Sequence, residues 1–113
     1  MALSKPNFFI IGAPKCGTTS LHNYLSSHSQ ITMSIPKEPH YFSEDIENGG
    51  IRNKKKYTDC FSHGKRNAIA VGESSTLYLY SRVAVQNIYN YNRDVKFITM
   101  IRNPIEIARS FHQ

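Results

Sequence analysis

Phe8-Phe9-Ile10-Ile11-Gly12-Ala13-Pro14-Lys15-Cys16-Gly17-Thr18-Thr19-Ser20-Leu21 decides the fold. A short apolar run stopped by glycine has the length of a buried strand. Beyond it, Leu21, Tyr24 and Leu25 recur at helical spacing, which predicts a helix over Thr18–His28. The stretch is therefore a strand, a glycine-containing loop and a helix start, which together make an anion cradle. Successive backbone N–H groups converge in such a loop, and the helix N-terminus adds positive potential. Gly17 lets the backbone come close to the anion, Thr18, Thr19 and Ser20 add hydroxyl donors, and Lys15 adds a full charge.

The loop departs from the one that holds ATP or GTP, G-x-x-x-x-G-K-[ST]. Gly12 and Gly17 have its spacing, but Thr18 follows the second glycine and the lysine stands earlier, at Lys15. No apolar strand ends in the aspartate that would hold Mg²⁺; the clearest one runs into Arg102. The loop suits a phosphate-like group rather than a Mg²⁺–triphosphate. The plain alternative is an ordinary strand-to-helix turn rich in Gly and Thr.

Working outward, residues 31–35 and 68–71 read as short strands, residues 54–61 and 82–91 as helices, and residues 95–101 as the clearest strand. Pro36-Lys37-Glu38-Pro39 is a loop, because a residue before proline is pushed out of the helical region. Asn48-Gly49-Gly50 is a turn. Pro104 is placed to open a last helix, with Asn103 as its cap. Apolar strands alternating with helices predict an α/β fold in three layers, a central parallel sheet flanked by helices. The 113 residues suffice for a single domain, 1–113, and the end at Gln113 inside a predicted helix suggests the front part of a longer one.

Charge is uneven: residues 51–113 hold eleven Lys/Arg against four Asp/Glu, and residues 1–50 hold three against four. That balance suits an anionic partner without naming it. The run Arg52-Asn53-Lys54-Lys55-Lys56 reads first as a solvated helix face, with a patch for an acidic acceptor as its rival. No stacking platform, helix-turn-helix or zinc finger points to nucleic acid. Cys16 and Cys60 lack metal-ligand spacing, so reduced thiols and no metal site are expected. With no signal peptide and no apolar run of spanning length, a cytoplasmic chain without a membrane segment is expected.

Phe8 to Leu21 resembles the 5′-phosphosulfate loop of sulfotransferases, enzymes that use 3′-phosphoadenosine 5′-phosphosulfate (PAPS) as sulfuryl donor. The resemblance implies a P-loop-NTPase-like fold. It implies donor binding by Lys15, Cys16, Gly17, Thr18, Thr19 and Ser20, with Lys15 helping the leaving group depart. Arg102-Asn103-Pro104, with Ser110 eight residues after the arginine, is similar to the family's 3′-phosphate motif. Arg102 and Ser110 are thereby implied as ligands of that phosphate, and Arg109 is left to the helix surface. Lys37-Glu38-Pro39-His40-Tyr41-Phe42 looks like the Lys-Glu-x-x-Phe-Phe region of heparan sulfate glucosaminyl sulfotransferases and related bacterial proteins. That implies Glu38 as catalytic base. His40 is the rival base, because an imidazole titrates near neutrality. The bland reading of Glu38 is a surface pair with Lys37. Glu73-Ser74-Ser75-Thr76 is similar to the family's Glu-Lys-[Ser/Thr]-Pro segment, but Ser74 and Thr76 replace its lysine and proline. Glu73 itself reads as a group that orients its neighbours or meets the acceptor, or as a buried structural carboxylate. The implied partners are PAPS and a hydroxyl or amine acceptor, with a carbohydrate favoured. The alternatives are a truncated, non-catalytic nucleotide-binding module and a P-loop kinase or NTPase.

Overall fold

β1 (Phe8–Gly12) is buried along its whole length, because both faces of the sheet are covered. Alternation along the strand divides its side chains between two clusters. Phe9 and Ile11 join Phe42, Tyr57, Val71, Tyr78 and Ile88 on one face; Phe8 and Ile10 join Met33, backed by Leu21 and Leu25, on the other. Phe9 and Ile10 are fully buried, and such a side chain contributes about 1.5–3 kcal/mol relative to exposure.

The computed structural model describes residues 5–47, 50–103 and 105. After β1 come α1 (Thr18–Ser26), β2 (Ile31–Met33), α2 (Lys54–Asp59), β3 (Ala70–Ser74), a 3-10 turn (Thr76–Tyr80), α3 (Ala84–Tyr91) and β4 (Lys96–Thr99). The four strands are parallel in the order β2-β3-β1-β4. This is the predicted α/β sheet, and all four carboxyl ends lie along one edge, where open parallel sheets bind their ligands. No helix among the described residues is long and apolar enough to cross a membrane.

Several boundaries differ from expectation. The strand expected over 68–71 runs from Ala70 to Ser74. Gly72-Glu73-Ser74 reads as loop because it is polar, but β1 pairs it residue for residue: Phe8 with Gly72, Phe9 with Glu73, Ile10 with Ser74. Gly72 is required there, since a Cβ would overlap the Phe8 ring. The helix expected from Arg82 begins at Ala84, after a 3-10 turn that periodicity does not reveal. Ser81 sets that start, its hydroxyl accepting the N–H groups of Val83 (3.2 Å) and Ala84 (3.0 Å). β4 ends at Thr99 rather than Ile101, so Arg102 stands beyond the strand. Asn103 Oδ1 accepts the N–H of helical Ile105 at 2.8 Å, as a cap does. Asn48 and Gly49 of the expected turn, and Pro104, Arg109 and Ser110 of the last helix, lie outside the described residues.

Candidate functional site

The loop after β1 has the backbone the sequence asks for. Gly17 takes φ +84° and caps α1, a left-handed conformation that costs glycine little. Cys16 and Thr18 turn into the protein; Lys15, Gly17, Thr19 and Ser20 are exposed. The loop is tied to the end of β4 by the bonds Met100 N–H to Gly12 O (2.8 Å) and Ala13 N–H to Met100 O (3.1 Å). Just beyond, the Arg102 guanidinium donates to the Lys15 carbonyl at 3.0 Å. The two cationic residues singled out in the sequence, 87 positions apart, therefore share one edge of the sheet.

The loop bearing Glu38 is held to the same edge from below. Glu38 Oε1 accepts the Thr76 hydroxyl (2.6 Å) and the Thr76 N–H (3.2 Å), and Lys37 Nζ lies 3.6 Å away. The bland reading of a Lys37–Glu38 pair is thus present, but Thr76 grips the carboxylate more closely. Thr76 also borders the cradle, because its carbonyl faces Gly12, 3.1 Å from where a Cβ would stand. Burial works to raise the Glu38 pKa; the two bonds from Thr76, with Lys37 and His40, outweigh it and hold the carboxyl below its ordinary range. Glu38 is therefore ionised at neutral pH, with its side chain about a third exposed.

His40 is more deeply set. It is 8% exposed, and its Nε2 is buried without a hydrogen-bond partner. Burial lowers its pKa, Glu38 opposes this, and Lys37 and Arg52 reinforce it, so the ring is neutral. Lys15, Glu38 and His40 are the only non-glycine residues with positive φ among those described, at 64°, 60° and 50°. Strained backbone of this kind gathers at functional sites, where the surroundings over-determine it.

Sequence reasoning undervalued the partners of these groups. Thr76 stands where the resemblance expects proline, and a proline has neither the N–H nor the hydroxyl that Glu38 receives. Ser74, in the place of the expected lysine, meets His22 Nδ1 of α1 at 3.1 Å. Burial and Lys37 lower the pKa of His22, against a bond to the Ser34 backbone and the charge of Glu38. The hydroxyl run Ser74-Ser75-Thr76, where β3 ends, is the signal that marks these contacts. Glu73 is fully buried and cannot meet an acceptor. A groove of about 270 Å³ lined by Tyr41, Phe42, Glu44, Arg52 and Asn87 contains none of the candidate residues. There Arg52 serves the loop itself, donating to the carbonyls of His40 (2.7 Å), Ser43 (3.1 Å) and Ile46 (3.2 Å). Lys54, Lys55 and Lys56 form the exposed start of α2, with Asn53 capping the Lys56 N–H.

A parallel sheet whose first strand runs into a glycine-bearing loop and a helix, with Lys15 and Arg102 at the carboxyl edge, defines a P-loop-like α/β protein. The Sulfotransferase family profile matches residues 6–94, and the chain belongs to that family. A crystal structure of a sulfotransferase from Alicyclobacillus acidocaldarius superposes with a TM-score of 0.87 at 38% identity, over 97% of this chain and 49% of that one. The membrane-associated sulfotransferase kil1 of Dictyostelium discoideum is 31% identical over 96% of this chain and 22% of its own length. Human bifunctional heparan sulfate N-deacetylase/N-sulfotransferase 2 is 33% identical over 96% of this chain and 13% of its own. Human carbohydrate sulfotransferase 15 is 27% identical over 89% and 26%. The chain thus spans about half the length of the matched structure and between 13% and 26% of these curated relatives.

Proposed function

We propose that the chain binds PAPS at the Lys15 loop and transfers its sulfuryl group to a hydroxyl or amine of a carbohydrate, with Glu38 as base. The observation that carries this reading is the 3.0 Å bond from Arg102 to the Lys15 carbonyl, which brings two cationic clamps together on the carboxyl edge. A doubly phosphorylated adenosine needs two such clamps, and the cations Lys15 and Arg102 stand here beside neutral N–H and hydroxyl donors. The carbohydrate reading is supported by relatives described as heparan sulfate and carbohydrate sulfotransferases.

Bound there, PAPS supplies an activated sulfuryl group and a phosphate leaving group. Lys15, the cradle N–H groups and the hydroxyls of Thr19 and Ser20 hold the 5′ end; Arg102, with Ser110, holds the 3′-phosphate. Glu38, ionised and partly exposed, takes the acceptor's proton as the new bond to sulfur forms. Lys15 stabilises the charge on the phosphate oxygen as its bond to sulfur breaks. Neutral His40, 8% exposed with a buried Nε2, is less accessible to an acceptor than Glu38.

Calorimetric titration with 3′-phosphoadenosine 5′-phosphate tests the site on wild type, Lys15→Ala and Arg102→Ala. Each substitution removes a charged hydrogen-bond donor and weakens binding by about 1.5–3 kcal/mol, on the order of ten- to hundredfold. ATP–Mg²⁺ titrated in parallel binds more weakly than the bisphosphate. Unchanged affinity in both variants, or tighter binding of ATP–Mg²⁺, refutes the assignment.

A further inference from the structure

Glu73 has no exposed surface, yet it ends a chain of hydrogen bonds that reaches the Glu38 loop. Its carboxyl oxygens meet three hydroxyls: Ser75 Oγ at 2.5 Å on Oε1, and Tyr57 Oη at 2.5 Å and Tyr78 Oη at 3.1 Å on Oε2. A hydroxyl has one proton to give. Donated to Glu73, that proton leaves the Ser75 and Tyr78 oxygens as acceptors. Both are used in this way: the His40 N–H donates to Ser75 Oγ at 3.0 Å, and the Phe42 N–H donates to Tyr78 Oη at 3.3 Å.

We propose that Glu73 is a positioning residue for the loop carrying Glu38 and His40, acting through the hydroxyls of Ser75 and Tyr78. When ionised, the carboxylate only accepts and fixes the polarity of both relays, so the loop presents N–H groups at His40 and Phe42. Those two anchors lie just past Glu38, and Thr76, the neighbour of Ser75, grips Glu38 itself. Holding His40 at φ +50° takes external bonds of this kind. The role of the loop in catalysis rests on the proposed function; the hydrogen-bond relay does not.

Burial is the main force on the Glu73 carboxyl and raises its pKa to about 7. The titratable groups around it are Tyr57 and Cys60 from α2 and its end, Tyr78 from the 3-10 turn and Tyr91 from α3, each with its pKa raised and hence neutral. Glu73 is therefore the member of the cluster that titrates nearest neutrality, and its ionised form gains as pH rises past about 7.

Amide hydrogen exchange at pH 7.5, resolved by NMR, tests the relay without any need for turnover. Ser75→Ala accelerates exchange at His40 at least tenfold, Tyr78→Phe does so at Phe42, and Glu73→Gln does so at both. The amides of Phe9 and Ile10 in β1 stay as in wild type. Equal acceleration at all four amides, or none at His40 and Phe42, overturns the proposal, and the two hydroxyl variants decide the matter if Glu73→Gln fails to fold. Sulfuryl transfer from PAPS is measured on the same samples. With wild type active, Glu73→Gln lowers kcat about tenfold and leaves the affinity for 3′-phosphoadenosine 5′-phosphate within twofold. An inactive wild type counts against the proposed function alone, because the exchange pattern still reads the relay.

Discussion

Glu73→Gln should change how stability responds to pH, and the structure sets the size of the change. The carboxyl titrates at about 7 when folded, against 4.5 as an ordinary side chain, because burial outweighs the bonds from Ser75, Tyr57 and Tyr78. Between these values the folded chain holds a proton that the unfolded chain has released. Stability therefore falls as pH rises through the window from 4.5 to about 7. The gap of about 2.5 pH units corresponds to about 3 kcal/mol over the whole window. Glutamine occupies the same space and does not titrate. Urea unfolding of wild type and Glu73→Gln at pH 4, 5, 6, 7 and 8 measures the difference. Relative to the variant, wild type should gain up to about 3 kcal/mol as pH falls from 8 to 4.5, and nothing below that. His22 and His40, whose pKa values are lowered by burial, act in the opposite sense and cost stability as pH falls below about 6.5. They are present in both proteins and cancel in the difference. Parallel stability curves would refute the reasoning, since Glu73 would then titrate alike in the folded and unfolded chains.

Thr76→Val removes the shorter of two bonds to Glu38 Oε1; the carboxyl should titrate at higher pH by carbon-13 NMR, and the chain should lose about 1 kcal/mol of stability. Gly17→Ala places a Cβ on a residue at φ +84°; it should cost about 1–2 kcal/mol by thermal unfolding and weaken binding of 3′-phosphoadenosine 5′-phosphate. Gly72→Ala drives a Cβ into the Phe8 ring between β1 and β3; a loss of about 1–3 kcal/mol is expected in urea unfolding. His22→Leu leaves the buried Ser74 hydroxyl without its imidazole partner; a loss of about 1–3 kcal/mol is expected at pH 8, with the wild-type advantage shrinking below about pH 6.5 as the unfolded imidazole takes up its proton.

What the sequence made legible is what local chemistry determines. An apolar run ending in Gly12 is a strand wherever it is buried on both sides, and Gly17 before three hydroxyl residues is a cradle opening a helix. Those elements appear at the expected places. The illegible parts depend on partners distant in the chain. Gly72-Glu73-Ser74 is a strand only because β1 pairs with it, and no property of the tripeptide says so. The 3-10 turn at Thr76–Tyr80 has too short a repeat to register as a helix. In the site, Glu38 and Arg102 were visible as residue types in motifs; Ser75 and Thr76 stood in a motif too, but not as partners of His40 and Glu38, and His22 was not singled out. Their roles arise from hydrogen bonds spanning 35 to 52 positions.

Lys15, Glu38 and His40 share one unfavourable backbone conformation, and each has its own restraint from elsewhere in the chain. Arg102 holds the carbonyl of Lys15, Thr76 holds the carboxylate of Glu38, and Ser75 holds the N–H of His40. A residue with a Cβ at positive φ costs on the order of 1 kcal/mol. Three such costs within one site, in a chain of 113 residues, are a large share of an ordinary stability margin. A fold selected for stability alone would relax them by placing glycine or asparagine at these positions. A lysine, a glutamate and a histidine there keep their chemistry at the expense of the backbone. Backbone strain thus falls on three of the residues that the sequence motifs single out.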